Sequence, residues 1–400
     1  MDKKRSDPGF RVRGFRAGAV ASGIKKGGKK DLALIVSDVP AAVAGVFTRN
    51  AVRAAPVLLS IERVKKGSAR GVIINSGNAN ACTGKRGLRL AGDMAKAAEK
   101  NLRVKKGDML VASTGVIGVP LPAGKIISSL PGLVRSLRPD GWMDAAEAIM
   151  TTDAFPKTAS GRKKINGRSI NIVGIAKGAG MICPDMATML AFFATDAPVD
   201  PESLKKALLS ATDESFNRIT VDNDTSTNDC VFIFANGLAG GGSLAAGGAG
   251  FNQFRELLSG LSLELSHMIV RDGEGATKFT EIEVAGCRSR SDAEAAARRI
   301  AGSLLVKTAL FGKDPNWGRI MAAVGACGIR LKEDRVDISI NGVKVVKNGV
   351  DTGMEKAAAA AMKKREIKLM VDIKLGRGGA RLWTSDLSYD YVRINSSYRS

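Results

Sequence analysis

Short apolar runs, each long enough for one buried strand, alternate with amphipathic helices along this 400-residue chain. The clearest runs cover residues 186–194 and 229–235. Two alternating runs meet at Asn341-Gly342, a pair that favours a type I′ hairpin turn. Strict alternation of strand, helix and strand is absent. We therefore expect an α+β fold in which helices cover largely antiparallel sheets.

The periodicity of apolar residues also predicts individual elements. It predicts helices over residues 86–102 and 122–136, the second interrupted at Pro131-Gly132. Two separate short strands are expected at 32–36 and 42–47, and a last strand near 389–394.

The charge balance is strongly basic, with 61 Lys and Arg against 39 Asp and Glu and a net charge of +22. Such a charge attracts polyanions, so a basic polyanion-binding protein is one alternative. Nucleic-acid binding is disfavoured, because aromatic residues make up only 5% and the lysine and arginine doublets are scattered. No apolar run approaches the ~18 residues needed to cross a bilayer. We expect a cytoplasmic protein with no membrane or nucleic-acid partner.

The cysteine and histidine content limits the kinds of catalytic or metal site that this chain is expected to form. An odd number of well-separated cysteines predicts free thiols in a reducing compartment and argues against a zinc cluster. These cysteines are Cys82, Cys183, Cys230, Cys287 and Cys327. The chain has one histidine, His267, within an apolar helical stretch. An enzyme with this composition is not expected to use a Ser-His-Asp triad, a Cys-His pair or a histidine-rich metal centre.

Thr188 offers a nucleophile that needs no histidine. It follows a glycine-rich turn and a proline, and it heads one of the buried apolar runs. If the peptide bond before it is cut, its hydroxyl becomes a nucleophile and its own freed α-amine becomes the base. The reference pKa of such an amine is ~7.7–8.0, close to the ideal for a base at neutral pH. The local pattern on its own is more typical of a tight connection into a core strand.

The stretch KGAGMICPDMATML at 177–190 resembles the signature of the ornithine acetyltransferase family, also called bifunctional glutamate N-acetyltransferase and amino-acid acetyltransferase, of arginine biosynthesis. The resemblance is specific, because its motifs are long, ungapped and spread over nearly the whole chain. The other matching stretches are VFTRN (46–50), NSGNANACTG (75–84), STGVIG (113–118), MTTDAFPK (150–157), TVDNDTSTND (220–229), RDGEGATK (271–278), FGKDPNWGRI (311–320) and DLSYDYVRINSSYRS (386–400).

The resemblance implies a fold and a processing step. The fold is a four-layer αββα sandwich built from two structural repeats, resembling the N-terminal-nucleophile β-aminopeptidases. The precursor would cut itself between Ala187 and Thr188, giving an α chain of residues 1–187 and a β chain of residues 188–400. These chains would assemble as an (αβ)₂ heterotetramer.

The resemblance also implies an activity. Thr188 would take the acetyl group of N-acetylornithine, forming an acetyl-Thr enzyme, and would pass it to glutamate to give N-acetylglutamate. No metal and no cofactor are expected, and the sequence leaves open whether acetyl-CoA is a second donor. An aminopeptidase or amidohydrolase on the same scaffold, in which water is the acceptor, is the alternative.

Site residues follow from the matching motifs. The Thr114 hydroxyl and the Gly115 N–H are expected to form the oxyanion hole. Substrate contacts are expected from the following residues, of which Thr152 is the weaker candidate: Thr152, Lys177, Thr188, Glu274, Asn395 and Ser400. For Lys177 the expected partner is a carboxylate, and for Glu274 either an ammonium or the α-amine.

The chain departs from the family pattern at two positions near the site. Ala154 replaces the last threonine of a TTDTFPK stretch, which puts the Thr152 assignment in doubt if that hydroxyl is the substrate contact. Asp185 replaces an asparagine and adds a negative charge near the bond to be cut. A group of polar residues resembles a metal cluster by composition, but we interpret it as loop and supporting groups: Asp222, Asn223, Asp224 and Asp229.

Overall fold

The computed structural model describes residues 10–183 and 189–397. Its strands are β1 (Phe15–Val20), β2 (Leu32–Phe47), β3 (Ser68–Asn78), β4 (Met109–Val116), β5 (Lys157–Ile165), β6 (Arg168–Lys177), β7 (Leu190–Thr195), β8 (Ile219–Thr220), β9 (Cys230–Ala235), β10 (Phe279–Cys287), β11 (Asp337–Ile340), β12 (Val343–Lys347), β13 (Val350–Asp351), β14 (Glu366–Asp372) and β15 (Gly378–Ser385). Its α-helices are α1 (Ala55–Val64), α2 (Gly84–Leu102), α3 (Ala123–Arg135), α4 (Trp142–Ile149), α5 (Pro201–Asp213), α6 (Ala249–Arg271), α7 (Arg290–Ala301), α8 (Leu304–Gly312), α9 (Trp317–Gly325), α10 (Glu355–Ala361) and α11 (Tyr389–Ser397).

The larger sheet has eight strands in the order β4-β3-β2-β9-β7-β6-β5, with β1 also paired to β2. The long strand β2 joins its two halves. It pairs with β3 along its first part and with β9 over Ala42–Phe47, and its register with β3 shifts between Val36 and Ala41. Such an irregularity bends and twists a strand, so β2 contributes to both halves of the sheet.

The two halves share one apolar core on their inner faces. Side chains alternate along each strand, so Phe192 of β7 and Phe232 of β9 lie in this inner core together with Ile35 of β2. Their neighbours Phe193 and Ile233 point to the outer face. This alternation explains why these runs are apolar at every position: both faces of each strand are buried.

Helices cover both outer faces. Helices α1, α2 and α3 pack on the half that contains β3 and β4, whereas α5 and α6 pack on the half that contains β7 and β9. The order of layers is therefore helices, half-sheet, half-sheet, helices. Most of the strand pairings in the described parts of the chain are antiparallel. The predicted α+β sandwich with largely antiparallel sheets is confirmed.

A second sheet of seven strands, in the order β13-β12-β11-β14-β10-β15-β8, follows in the second half of the chain. Helices α7 to α10 bury one of its faces. The predicted Asn-Gly turn joins β11 to β12, and both Asn341 and Gly342 have the positive φ that a type I′ turn requires.

Three predicted elements are wrong in detail. The two strands expected at 32–36 and 42–47 form the single strand β2. Helix α3 is not interrupted but continues through Pro131. Proline has no N–H to donate to the carbonyl of Ile127, four residues earlier, and Ile127 is exposed. The last segment is not a strand but the helix α11, in which Tyr391 and Asn395 lie one turn apart on the same face. Within residues 10–183 and 189–397, no helix is long and apolar enough to span a membrane.

The single histidine is a packing residue. His267 lies on α6, where its ring contacts Trp383 at 4.5 Å and Phe279 at 5.2 Å between ring centroids. Its buried Nε2 finds no hydrogen-bond partner in the described part of the protein. Burial lowers the pKa of His267 from 6.5 to about 4.

We expect His267 to make the fold sensitive to mild acid. Because its folded pKa is depressed, the unfolded chain binds a proton that the folded chain excludes, and stability falls as the pH drops from 6.5 towards 4. The loss attributable to this residue should be on the order of 1–2 kcal/mol, given its partial exposure. Denaturant unfolding of the wild type and of His267→Phe between pH 7 and 4 measures it. Identical pH dependence in the two proteins would contradict the assignment.

Candidate active site

A polar cavity of about 180 Å³ lies where several strands of the larger sheet end. Six residues that the sequence analysis singled out line this cavity: Thr114, Gly115, Thr152, Lys177, Glu274 and Asn395. The chain thus brings together residues that are up to 281 positions apart, between Thr114 and Asn395. Ala187, Thr188 and Ser400 lie outside the described residues.

Thr114 and Gly115 stand near the end of β4, which runs parallel to β3. Gly115 has a φ of +130°, and a Cβ added there would lie 2.4 Å from the carbonyl carbon of Gly77. Only glycine allows the two backbones to approach this closely. The segment is held from the other side by Asn228, whose amide donates to the carbonyl oxygens of Ser113 at 2.8 Å and Ala79 at 2.6 Å.

Lys177, the last residue of β6, supplies a buried cation to the cavity. Its Nζ donates to Thr151 Oγ1 at 2.8 Å and to Thr114 Oγ1 at 3.3 Å. An ammonium has only donors, so both hydroxyl oxygens act as acceptors here. The hydrogen of Thr114 therefore stays available to donate to another group in the cavity, as an oxyanion-hole hydroxyl must.

Opposing effects act on the pKa of Lys177, and burial is the largest, so the pKa lies below its usual range. Burial lowers the pKa of Lys177, and the nearby carboxylates of Asp153, Asp229 and Glu274 act in the opposite direction. The closest of the described carboxylates is Asp153, with Oδ2 at 4.0 Å from Nζ. A cation that is desolvated and lacks a direct carboxylate contact at 3 Å is well suited to bind a carboxylate from a ligand.

Asp153 holds the backbone segments around Lys177 in place. It accepts hydrogen bonds from the backbone N–H of Thr151 at 2.9 Å and of Gly178 at 2.7 Å, and from Lys157 Nζ at 2.7 Å. The same Lys157 Nζ lies 2.5 Å from Asp272 Oδ2. Although burial alone raises the pKa of Asp153, Lys177 and Lys157 hold it below its usual range.

Glu274 and Asn395 form the opposite, acidic side. Glu274 Oε2 accepts from the side-chain amide of Asn395 at 2.7 Å, and the backbone N–H of Glu274 donates to Ala179 O at 2.8 Å. The loop that carries Glu274 packs directly on Gly180, where a Cβ would lie 2.5 Å from the carboxyl carbon of Glu274. Ser388, the residue just before helix α11, donates to the carbonyl of Gly275 in this loop at 2.6 Å.

Asp222 is a cavity residue that the sequence analysis assigned only a supporting role. Its carboxylate accepts from the backbone N–H of Met181 at 2.6 Å and of Ile182 at 2.8 Å. Burial raises the pKa of Asp222 to about 6. The hydroxyl of Tyr391, on α11, lies 3.5 Å from Asp222 Oδ2, so the acidic side extends from Glu274 to this carboxylate.

Thr151 is the second residue that sequence reasoning missed. Thr151 and Thr152 both line the cavity, but it is Thr151 that bonds Lys177. Ala154, where a family hydroxyl is missing, is exposed and does not line the cavity; its backbone N–H donates to Asp272. The signal for Thr151 was the TTD motif itself, in which neighbouring threonines cannot be ranked without knowing the turn. No cluster of potential metal ligands occurs among the residues that the structure describes.

A polar cavity at the strand ends of an α+β sandwich, with a buried lysine and a buried carboxylate in its lining, is typical of an enzyme site for a small charged substrate. Relatives refine this class. The chain is 51% identical over 391 residues to the arginine biosynthesis bifunctional protein ArgJ of Geobacter sulfurreducens, covering 97% of this chain and all of that one. It is 48% identical over 390 residues to the protein of the same name from Symbiobacterium thermophilum, covering 97% of each.

A solved structure is also similar. The crystal structure of the arginine biosynthesis bifunctional protein ArgJ from Bacillus halodurans shares 43% identity, covers 51% of this chain and 96% of that chain, and has a TM-score of 0.49. The ArgJ family model matches residues 16–400. The chain belongs to the ArgJ family, and it is an acyltransferase of arginine biosynthesis.

Gly180→Ala should displace Glu274 without harming the fold. The added Cβ meets the end of a flexible side chain, so the carboxylate moves away and the backbone stays. We expect a rise of about tenfold in KM for the substrate whose ammonium or α-amine Glu274 is expected to bind. The change in unfolding free energy should be below about 1 kcal/mol. Steady-state kinetics and denaturant unfolding measure the two effects. Gly92→Ala is the control, because a Cβ there meets nothing within 4 Å; equal kinetics in both variants would contradict the role of Glu274.

Proposed function

We propose that this enzyme transfers the acetyl group of N-acetylornithine to glutamate, through an acetyl ester on Thr188. The proposal includes self-cleavage between Ala187 and Thr188, which separates residues 1–187 from 188–400. The single observation that carries it is the convergence of Thr114, Gly115 and Lys177 with Glu274 and Asn395 in one cavity. Membership of the ArgJ family supports the same reaction.

The polarity of the cavity fits these substrates. N-acetylornithine and glutamate both carry an α-carboxylate, and ornithine adds a distal ammonium. Lys177 is a buried cation for the carboxylate, whereas Glu274 is a buried carboxylate for an ammonium. Because both charges are desolvated, each attracts a ligand group of opposite charge more strongly than a surface residue would.

In the first half-reaction, the Thr188 oxygen attacks the carbonyl carbon of the acetyl amide. The α-amine of Thr188 takes the hydroxyl proton, and the negative charge that develops on the carbonyl oxygen is stabilised by the Thr114 hydroxyl and the Gly115 N–H. Loss of one such donor typically costs ~3–4 kcal/mol of barrier. The carbon–nitrogen bond then breaks as the proton passes to the departing nitrogen, and ornithine leaves.

In the second half-reaction, the α-amine of glutamate attacks the ester carbonyl in the same oxyanion hole. The carbon–oxygen bond breaks, the proton of the attacking amine returns to the Thr188 oxygen, and N-acetylglutamate leaves. This is a ping-pong cycle in which one nucleophile serves two amines. The cycle requires neither a metal nor a cofactor. A hydrolase, in which water replaces glutamate, is the competing function.

Further parts of the proposal concern assembly and location. We expect the two chains to associate as an (αβ)₂ heterotetramer acting in the cytoplasm, with Ser400 contributing a substrate contact. The proposal leaves acetyl-CoA open as a second donor.

Thr188→Ala should abolish both self-cleavage and transfer. Without the hydroxyl no ester forms, so a denaturing gel should show one intact chain, and acetyl transfer should fall by at least about 10³-fold. Thr212→Ala is the matched control, since this buried hydroxyl has no partner in the described part of the chain. Retained transfer in Thr188→Ala would refute the nucleophile, and two bands would refute the cleavage site.

Donor and acceptor preferences separate the competing functions. With N-acetylornithine as donor, ornithine release should depend on glutamate, and N-acetylglutamate should form in equal amount. Ornithine release that is fast without glutamate would instead identify a hydrolase. The same assay with acetyl-CoA decides whether a second donor is used.

A further inference from the structure

Self-cleavage poses a proton-transfer problem that the acyl-transfer cycle does not. In the mature enzyme the α-amine of Thr188 is the base. In the uncut chain that nitrogen belongs to a peptide bond, and an amide nitrogen does not accept a proton near neutral pH. The first attack of the Thr188 hydroxyl therefore draws on a base from elsewhere in the chain.

Most titratable groups nearby already have partners. His267 packs against Phe279 and Trp383 and does not line the cavity. Glu274 accepts from Asn395. Lys177 donates to two hydroxyls, and only its neutral form could accept a proton.

Asp229 is placed differently. It immediately precedes β9, which runs parallel to β7, and it is only 2% exposed. The backbone N–H of Met189 donates to its carboxylate, and Ser226 hydrogen-bonds it as well. Its second oxygen, Oδ2, is buried and has no partner among the described residues. A buried carboxylate oxygen without a donor is costly and points to a proton or a ligand that it receives.

Covalent geometry relates Asp229 to the nucleophile. Thr188 is bonded to Met189, whose backbone N–H donates to Asp229. The backbone of Asp229 is fixed in turn, because its carbonyl accepts from the N–H of Thr48 at 3.0 Å and the Cys230 N–H donates to Met189 O at 3.3 Å. The carboxylate of Asp229 is thus held by the residue that directly follows Thr188 in the chain.

We propose that Asp229 is the general base of self-cleavage. Its carboxylate takes the proton of the Thr188 hydroxyl as the oxygen bonds to the carbonyl carbon of Ala187. It returns that proton to the Thr188 nitrogen as the carbon–nitrogen bond breaks, leaving an ester and a free amine, and water then hydrolyses the ester. The inference rests on the proposed function, because it takes the Ala187–Thr188 bond as the one that is cut.

The electrostatic setting agrees with this role. Burial raises the pKa of Asp229 well above its usual range, and the charge of Lys177 opposes that rise. A carboxylate with a raised pKa is a stronger base once ionised than an exposed one. The thiol of Cys230, next in the chain, has a pKa raised by burial and by Asp229, so it stays neutral.

The test follows cleavage of newly made full-length chain over time, by cell-free translation and denaturing gels. Asp229→Asn keeps acceptors for Met189 and Ser226 but removes the base, so the half-time of cleavage should lengthen by about 10²-fold or more. Asp196→Asn is the matched control, a buried carboxylate beyond the other end of β7 that accepts from Asn171. It should cleave at the wild-type rate.

The pH dependence of the cleavage rate identifies the base. The wild-type rate should rise with pH as Asp229 ionises, and Asp229→Asn should lack this rise. In Lys177→Met the rise should persist and move to higher pH, because the cation that favours the carboxylate is gone. A rise retained in Asp229→Asn but lost in Lys177→Met would overturn the proposal and assign the base to Lys177. If Asp229→Asn were cleaved at the wild-type rate at all pH values, the proposal would be overturned as well.

The same gels separate this inference from the proposed function. If the wild-type chain is cut at Ala187–Thr188 and Asp229→Asn is cut equally fast, only the role of Asp229 fails. If the wild type stays intact and still transfers acetyl groups, the proposed function itself fails.

Discussion

The buried carboxylate of Asp153 is the interaction on which the site depends. It joins the backbone of the 151–153 turn to the end of β6 at Gly178, and its ion pair with Lys157 continues to Asp272. Each of these charges is buried, so removing one would leave the others desolvated and unpaired, a loss that typically costs several kcal/mol. Such a network has one arrangement of low free energy, and it holds the surroundings of Lys177 rigid before any substrate arrives.

The same network links the two sides of the cavity. Asp272 lies two residues before Glu274, on the loop that follows α6. The cationic side, built on β6, and the acidic side, built on this loop and α11, are therefore connected through Asp153, Lys157 and Asp272. The charges of Lys177 and Glu274 are therefore positioned by the core rather than by mobile surface side chains.

Much of the fold was predictable because its signals are local. Continuous apolar runs predicted buried strands, and Asn341-Gly342 predicted its turn. The errors at β2 and α11 share one cause, which is that local patterns do not reveal long-range packing. The bend in β2 depends on its second partner, β9. The tyrosines of α11 alternate as in a strand, but the segment is helical. The contacts of Ser388 with Gly275 and of Asn395 with Glu274 hold it over the cavity. In the site, the motifs gave Lys177 and Glu274, but not the pairing of Lys177 with Thr151 or the contacts of Asp222, since these depend on how distant loops meet.

The sequence alone determined the chemistry that is available. One histidine, scattered cysteines and a threonine at the head of an apolar run restrict the nucleophile, and motifs over the whole chain define the family. Only the tertiary structure decided which groups are buried together. Burial fixes how strongly charges act, because the same carboxylate is an ordinary acid in water and a perturbed one inside the protein. The sequence contains Lys177, Asp153 and Asp229, but their altered proton affinities arise only when folding removes water from around them.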